Sequence, residues 1–185
     1  SDLIIAGSNF IFSHINENYS NYLNENQKLL TIFRGINLEY FDSSKIKNEA
    51  ATNLMTEWKI DQTLSFYQKK IILFPGRITS WKGHEMFIES LNIFKQKNPD
   101  KLFFVIILGS DQGRKIYKKK IKRIIEQFRL IKDILFIDNC EKMPLAYKIA
   151  NIVINCSIEP EAFGRVAVEA RSEERRVGKE CPLLC

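Results

Sequence analysis

Histidine is nearly missing from this chain. His14 and His84 are the only two in 185 residues. Neither has a serine, cysteine or aspartate set around it as a hydrolytic triad requires, so both read as structural or surface side chains. Cysteine is scarce as well. The four present form no C-x-x-C pair and no metal-ligand spacing, which excludes a zinc ribbon and a disulfide framework. Cys140 and Cys156, the two in the body of the chain, fit a reducing compartment, so a cytoplasmic setting is expected. There is no Asp-x-Asp pair to hold a divalent metal, and no metal or other cofactor is expected. No Gly-x-Gly-x-x-Gly follows the first strand, which argues against an ordinary dinucleotide site. RNP, KH and zinc-finger patterns are absent too, and with them the usual grounds for a nucleic-acid partner. The net charge of +6 adds little. Lysine is abundant together with Ile, Asn and Phe, a mixture that AT-rich coding produces. No apolar run is long enough to span a bilayer. The opening Ser1-Asp2-Leu3-Ile4-Ile5 has no basic leader and no cleavage site, so it does not read as a signal peptide. It also lacks an initiator Met, which makes a piece of a longer protein the expectation.

What is present is a hydrophobic content of 45%, enough for a real core, arranged in short continuous runs. Leu3 to Ala6 reads as a buried strand, followed by a helix that Ser8 or Asn9 can cap. Leu29 to Phe33 is a second strand. Glu49 to Trp58 is helical. Then four strands alternate with helices: Lys70 to Pro75, Phe103 to Leu108, Ile134 to Ile137 and Ile152 to Asn155. The helix after the first of these presents Phe87, Ile88, Leu91 and Phe94 as its inner face. The next is expected from about Gln112 to Arg129, and Pro144 opens a short third one. Strands that are apolar on both faces and alternate with helices predict an α/β fold, a Rossmann-like parallel sheet covered on both sides. Right-handed crossovers then place every strand-to-helix loop along one edge.

Those loops hold the chemistry. After the last strand comes Ser157-Ile158-Glu159-Pro160-Glu161-Ala162-Phe163-Gly164-Arg165-Val166-Ala167-Val168-Glu169-Ala170. Glu161 lies in the turn, and Glu169 lies roughly one and a half turns into the helix. A strand-to-helix turn at that edge points free N–H groups at an anion. Two carboxylates can therefore hold the two ends of one ligand. After the strand Lys70 to Pro75, Gly76-Arg77-Ile78-Thr79-Ser80-Trp81-Lys82-Gly83 offers a guanidinium that forks onto phosphate oxygens and an ammonium as a point charge.

The stretch E-A-F-G-R-V-A-V-E resembles the donor site of glycosyltransferase family 4, the retaining sugar-nucleotide enzymes of GT-B fold. Their mark is two glutamates flanking seven residues, with Phe-Gly after the first. The turn G-R-I-T-S-W-K-G is similar to their Gly-Arg and Lys-Gly turn, whose spacer varies. Arg34-Gly35-Ile36-Asn37 through Asp42 resembles their interdomain segment, in which Asn37 can close a turn. The resemblance spans residues 1 to 170. It implies that residues 1–40 end an acceptor domain and reach the interdomain segment, and that residues 41–170 are a partial donor domain. It implies that Glu161, Arg77 and Lys82 are catalytic, the cations meeting the charge that grows on the diphosphate. It further implies that Glu169 accepts hydrogen bonds from the ribose hydroxyls. Phe163, Gly164 and Arg165 would offer backbone N–H groups near the phosphates, Gly164 approaching closely because it lacks a Cβ. Gly109 would open a glycine-containing loop under the nucleotide, Gly109 to Arg114, and Asp138 to Pro144 would lie beside the base.

The implied partners are a nucleotide-diphospho-sugar donor and a glycan or lipid-linked acceptor in cell-envelope or lipopolysaccharide synthesis. Lys115, Lys118, Lys119, Lys120, Lys122 and Arg123 flank an apolar helix face, which leaves room for a peripheral contact at the inner face of the membrane. A sugar-nucleotide epimerase and a non-catalytic nucleotide-binding module stand as alternatives. The tail 171–185 breaks the helix pattern. Arg171-Ser172-Glu173-Glu174-Arg175 is what a common short-read sequencing adapter, AGA TCG GAA GAG CGT, encodes, so the tail is expected to lie outside the natural sequence. With most of one domain absent, the chain is expected to be inactive alone.

Overall fold

The computed structural model describes residues 3–23, 27–63, 68–172 and 176–179, the last four as backbone only. Residues 173–175 and 180–185 of the tail lie outside the described residues. The first unit is small. Strand β1 (Leu3–Ala6) and strand β2 (Lys28–Thr31) pair in parallel, with helix α1 (Asn9–Tyr19) between them. The Ser8 hydroxyl accepts the Ile11 N–H at 3.3 Å and caps α1 as its sequence predicts. Ile5 and Leu30 remain about half exposed on this pair.

The second unit is a five-stranded sheet in the order β5-β4-β3-β6-β7, with every pairing parallel. Its strands are β3 (Lys70–Pro75), β4 (Phe103–Leu108), β5 (Ile134–Ile137), β6 (Ile152–Asn155) and β7 (Arg176–Lys179). The connecting helices are α3 (His84–Lys97), α4 (Lys115–Gln127), α5 (Met143–Ile149) and α6 (Arg165–Ser172), and α2 (Asn48–Glu57) precedes the sheet. Alternate side chains of each strand feed two cores. Ile71, Leu73, Ile106 and Val153 join α2 and α5 on one face. Phe74, Val105 and Ile107 join α3 and α4 on the other. A sheet sealed on both sides needs apolar residues at every position, which is why its strands read as unbroken runs. Tail residues Arg171 and Ser172 complete α6, and Arg176 to Lys179 lie beside Ile152 to Asn155 as an edge strand.

Two local expectations shift. Helix α4 starts at Lys115, three residues later than the pattern predicts. Ser110 and Asp111 accept the N–H groups of Gln112 and Gly113, at 3.0 and 2.9 Å, and this turn outcompetes the helix. Phe94, expected on the inner face of α3, is 43% exposed, with its ring edge-on to that of Phe103, centroids 6.1 Å apart.

The strand order places the functional edge. From β3 the chain steps out to β4 and β5, then returns to the other side of β3 as β6. The carboxyl ends of β3, β4, β5 and β6 therefore share one edge, the place where open α/β sheets bind ligands.

Candidate functional site

The loop from β3 to α3 is anchored from below. Ile78 and His84 are fully buried. The His84 ring stacks on Phe74 with centroids 4.5 Å apart, and its Nδ1 lies 3.3 Å from the Thr79 carbonyl oxygen. Burial pushes the His84 pKa down to about 4, so the ring is neutral at pH 7 and structural. Gly83 takes a φ of +76°, and a Cβ there would stand 2.1 Å from the Cys156 carbonyl oxygen. That approach, with the Ile158 N–H donating to the Trp81 carbonyl at 2.8 Å, ties the β3 loop to the β6 loop. Gly83→Ala should therefore cost about 3 kcal/mol, combining a left-handed backbone penalty with overpacking against main chain. A denaturant midpoint unchanged from that of the unsubstituted chain would contradict this.

The tie brings two predicted residues together across 79 positions: Lys82 Nζ lies 2.7 Å from Glu161 Oε1. Both side chains are about nine-tenths buried. The Ser157 hydroxyl donates to the same carboxylate oxygen. Burial alone would raise the Glu161 carboxyl, but the hydrogen bonds from Lys82 and Ser157 and the Lys82 charge outweigh it. Its pKa is held below the ordinary value, and it is ionised at neutral pH. The Lys82 ammonium also sits 4.4 Å from the centre of the Trp81 ring, and the exposed Arg77 guanidinium 5.6 Å from it.

The second glutamate is equally enclosed. Glu169 on α6 is 6% exposed. The Tyr147 hydroxyl on α5 donates to its Oε2 at 2.9 Å. Arg165, one helical turn earlier, reaches Oε1 with Nε at 3.0 Å and Nη2 at 2.8 Å.

A cleft of about 950 Å³ opens along the strand ends, and Arg77, Gly109, Arg165 and Glu169 all line it. Gly109 is needed by position, because a Cβ there would lie 2.1 Å from the Gly76 carbonyl oxygen. The loop predicted beside the base contributes Asp138, Asn139, Cys140, Glu141 and Met143. The opposite wall is the connecting segment, through Gly35, Asn37 and Tyr40. Asn37 closes the expected turn by accepting the Tyr40 N–H at 3.1 Å, and the Tyr40 hydroxyl donates to the Glu141 carbonyl at 2.9 Å. Lys82 and Glu161 are not part of the cleft lining. They adjoin it through Gly76, whose Cβ position is 3.7 Å from the Lys82 methylenes. Phe163 is half-buried outside the lining, and Gly164 sits buried at the start of α6.

Sequence reasoning missed Tyr147, Ser157, Trp81 and the Arg165 side chain. Tyr147 left a signal: a tyrosine on an apolar helix face needs a partner for its hydroxyl.

A parallel sheet with a buried cation–acid pair at its carboxyl edge, and a second buried acid lining the cleft there, is an α/β domain of Rossmann-like GT-B type. The chain belongs to the glycosyl transferases group 1 family, whose model matches residues 56–172. It is similar to the D-inositol 3-phosphate glycosyltransferase of Corynebacterium glutamicum, 30% identical over 105 residues, covering 56% of this chain and 25% of that protein. It is also similar to a glycosyltransferase structure from Rickettsia africae, with a TM-score of 0.82 and 30% identity over 96% of this chain and 44% of that one. Anabaena HepE, solved with UDP and glucose, shares the fold with a TM-score of 0.76 at 20% identity, covering 96% of this chain and 44% of its own. The chain thus spans a quarter of the curated relative and less than half of the solved ones. No helix among the described residues is long and apolar enough to cross a membrane.

Proposed function

We propose that the complete protein moves a sugar from a nucleotide-diphospho-sugar to an acceptor with retention of configuration, as a family 4 enzyme. The observation that carries this reading is the buried Lys82–Glu161 pair beside a cleft lined by Arg77 and Glu169. The diphosphate lies toward Arg77 and Lys82. As the glycosidic bond breaks, negative charge grows on the leaving phosphate, and fixed cations favour that state over the ground state. No metal is needed for this. Glu161 is held ionised, so it serves as a fixed negative charge and acceptor for the sugar, opposite the positive charge developing at the anomeric carbon, and not as a proton donor. Glu169 receives the ribose, and the Asp138 to Met143 loop meets the base. The UDP-glucose bound to the Anabaena protein of like fold supports a donor of this class.

In this reading residues 1–40 end the acceptor domain and residues 41–170 belong to the donor domain. The acceptor is a glycan or lipid-linked molecule of the cell envelope, reached at the cytoplasmic face of the membrane. The exposed cations of α4 suit a peripheral contact there.

Arg77→Ala provides the test. In the 185-residue chain it should weaken UDP, GDP or ADP, whichever binds, by about tenfold or more, and the matching nucleoside by less than twofold. Calorimetry or equilibrium dialysis reads both. Equal losses would count against the assignment. The unsubstituted 185-residue chain should transfer no sugar, because in this reading its acceptor domain is incomplete, and measurable transfer would refute that part.

A further inference from the structure

The buried contacts of Glu169 go beyond what holding a ribose requires. The two carboxylate oxygens are treated differently. Oε2 is met by Tyr147, which is fully buried and comes from a different helix. Oε1 is met by Arg165, whose side chain is 62% exposed and lines the cleft. One partner is fixed in the core, and the other is free to leave. We propose that Tyr147 is a positioning residue that aims Glu169 at the ribose 2′- and 3′-hydroxyls, while Arg165 occupies Oε1 only until a nucleotide arrives. The proposal rests on the nucleotide-sugar reading above and adds to it the source of the discrimination between ribose and deoxyribose.

A carboxylate accepts a diol well only when its plane is fixed, because each hydroxyl needs its own lone-pair direction. Glu169 has a flexible side chain, and a lone contact to a mobile arginine would leave it several orientations. A charge-assisted hydrogen bond from a buried hydroxyl removes that freedom before the ligand binds. The Tyr147 ring is itself locked, packed against Phe41 with centroids 6.0 Å apart. Arg165 satisfies the buried charge in the empty site, where an unpaired carboxylate would be costly. Once ribose hydroxyls take over at Oε1, its guanidinium is released into a cleft that already holds Arg77, and there it can meet phosphate.

The experiment compares affinities of the 185-residue chain for UDP, ADP and GDP and for their 2′-deoxy counterparts, by calorimetry. The unsubstituted chain should prefer the ribo form of the nucleotide it binds best. Tyr147→Phe keeps the ring and removes one hydroxyl. It should weaken the ribonucleotide by about tenfold, the worth of one hydrogen bond to a charged group. The 2′-deoxynucleotide, which keeps only its 3′-hydroxyl on Glu169, should lose about threefold or less, so that the ribose preference shrinks. Glu169→Gln, which leaves the tyrosine in place, should show the same ribose-selective loss and guards against a folding defect in the first variant. The two changes combined should be no worse than Glu169→Gln alone. Parallel losses for ribo and deoxy forms, or none, would reduce Tyr147 to a core residue and overturn the inference while leaving the nucleotide reading intact. Failure of the unsubstituted chain to bind any of the three nucleotides would overturn both.

Discussion

In the complete two-domain protein, Glu161→Ala lowers turnover by about a hundred- to a thousandfold while the donor KM moves little. The magnitude is that of removing one preorganised electrostatic group from a site where charge develops. The split between turnover and KM follows from position. Glu161 is tied to Lys82 and Ser157 at the junction of β3 and β6, away from the lining of the cleft. In the proposed reaction it faces the reacting sugar, so the cleft lining that would hold the nucleotide survives its loss. Initial rates against a nucleotide-sugar donor check the outcome, and a turnover within about tenfold of the parent would remove Glu161 from the chemistry. Glu161→Gln should be nearly as damaging, because it keeps the shape and loses the charge.

Lys82→Met carries the second large effect, and on stability as well as function. The Glu161 carboxyl owes its depressed pKa to hydrogen bonds and charge that overcome burial. Without Lys82, burial is opposed only by the hydrogen bonds from Ser157 and Asn155, and the pKa should rise above the ordinary carboxylate value. In the parent, the pair's contribution is complete above the unfolded carboxylate range and is lost only as pH falls through the depressed folded value. In the variant the sign reverses. An unpaired carboxylate is destabilising at neutral pH, by about 3 kcal/mol, and acid relieves it by protonation. Melting temperatures at pH 7 and pH 5 should therefore rise on acidification in Lys82→Met and not in the parent. Parallel profiles would mean that the pair is not linked as described. Diphosphate affinity should fall by about a hundredfold in the same variant, with the nucleoside little affected.

Strands β3 to β6 were legible because each is an apolar run with a sharp end, whereas β7, Arg-Val-Gly-Lys, is not such a run and did not read as a strand. Pro75 with Gly76, and Gly109, stop β3 and β4 where the sequence pattern stops them. The onset of α4 was not legible, because Gln112 and Arg114 suit a helix as well as a turn, and a side-chain bond from Asp111 decided between them. The site divides in the same way. Arg77, Lys82, Glu161 and Glu169 stand out by residue type and by their place after strands. Their pairing does not, since Lys82 meets Glu161 only because β3 and β6 are neighbours, a fact of strand order. Arg165 stands four residues before Glu169 on one helix, a spacing the sequence does show, yet it reads there only as a supplier of main-chain N–H groups, although its guanidinium is the group found on Glu169.

The bond from Tyr40 to the Glu141 carbonyl also restricts how the molecule can bend. Phe41 is buried in the core below it, so the chain from Tyr40 onward is fastened to the larger sheet. A swing of the β1–β2 unit over the cleft cannot pivot at that fastening without dragging the base-side loop along. The free joint lies upstream at Gly35, where nothing stands within 4 Å of a Cβ position. In the two-domain reading proposed above, a closing motion would bend there and leave the strand-end floor of the cleft in place.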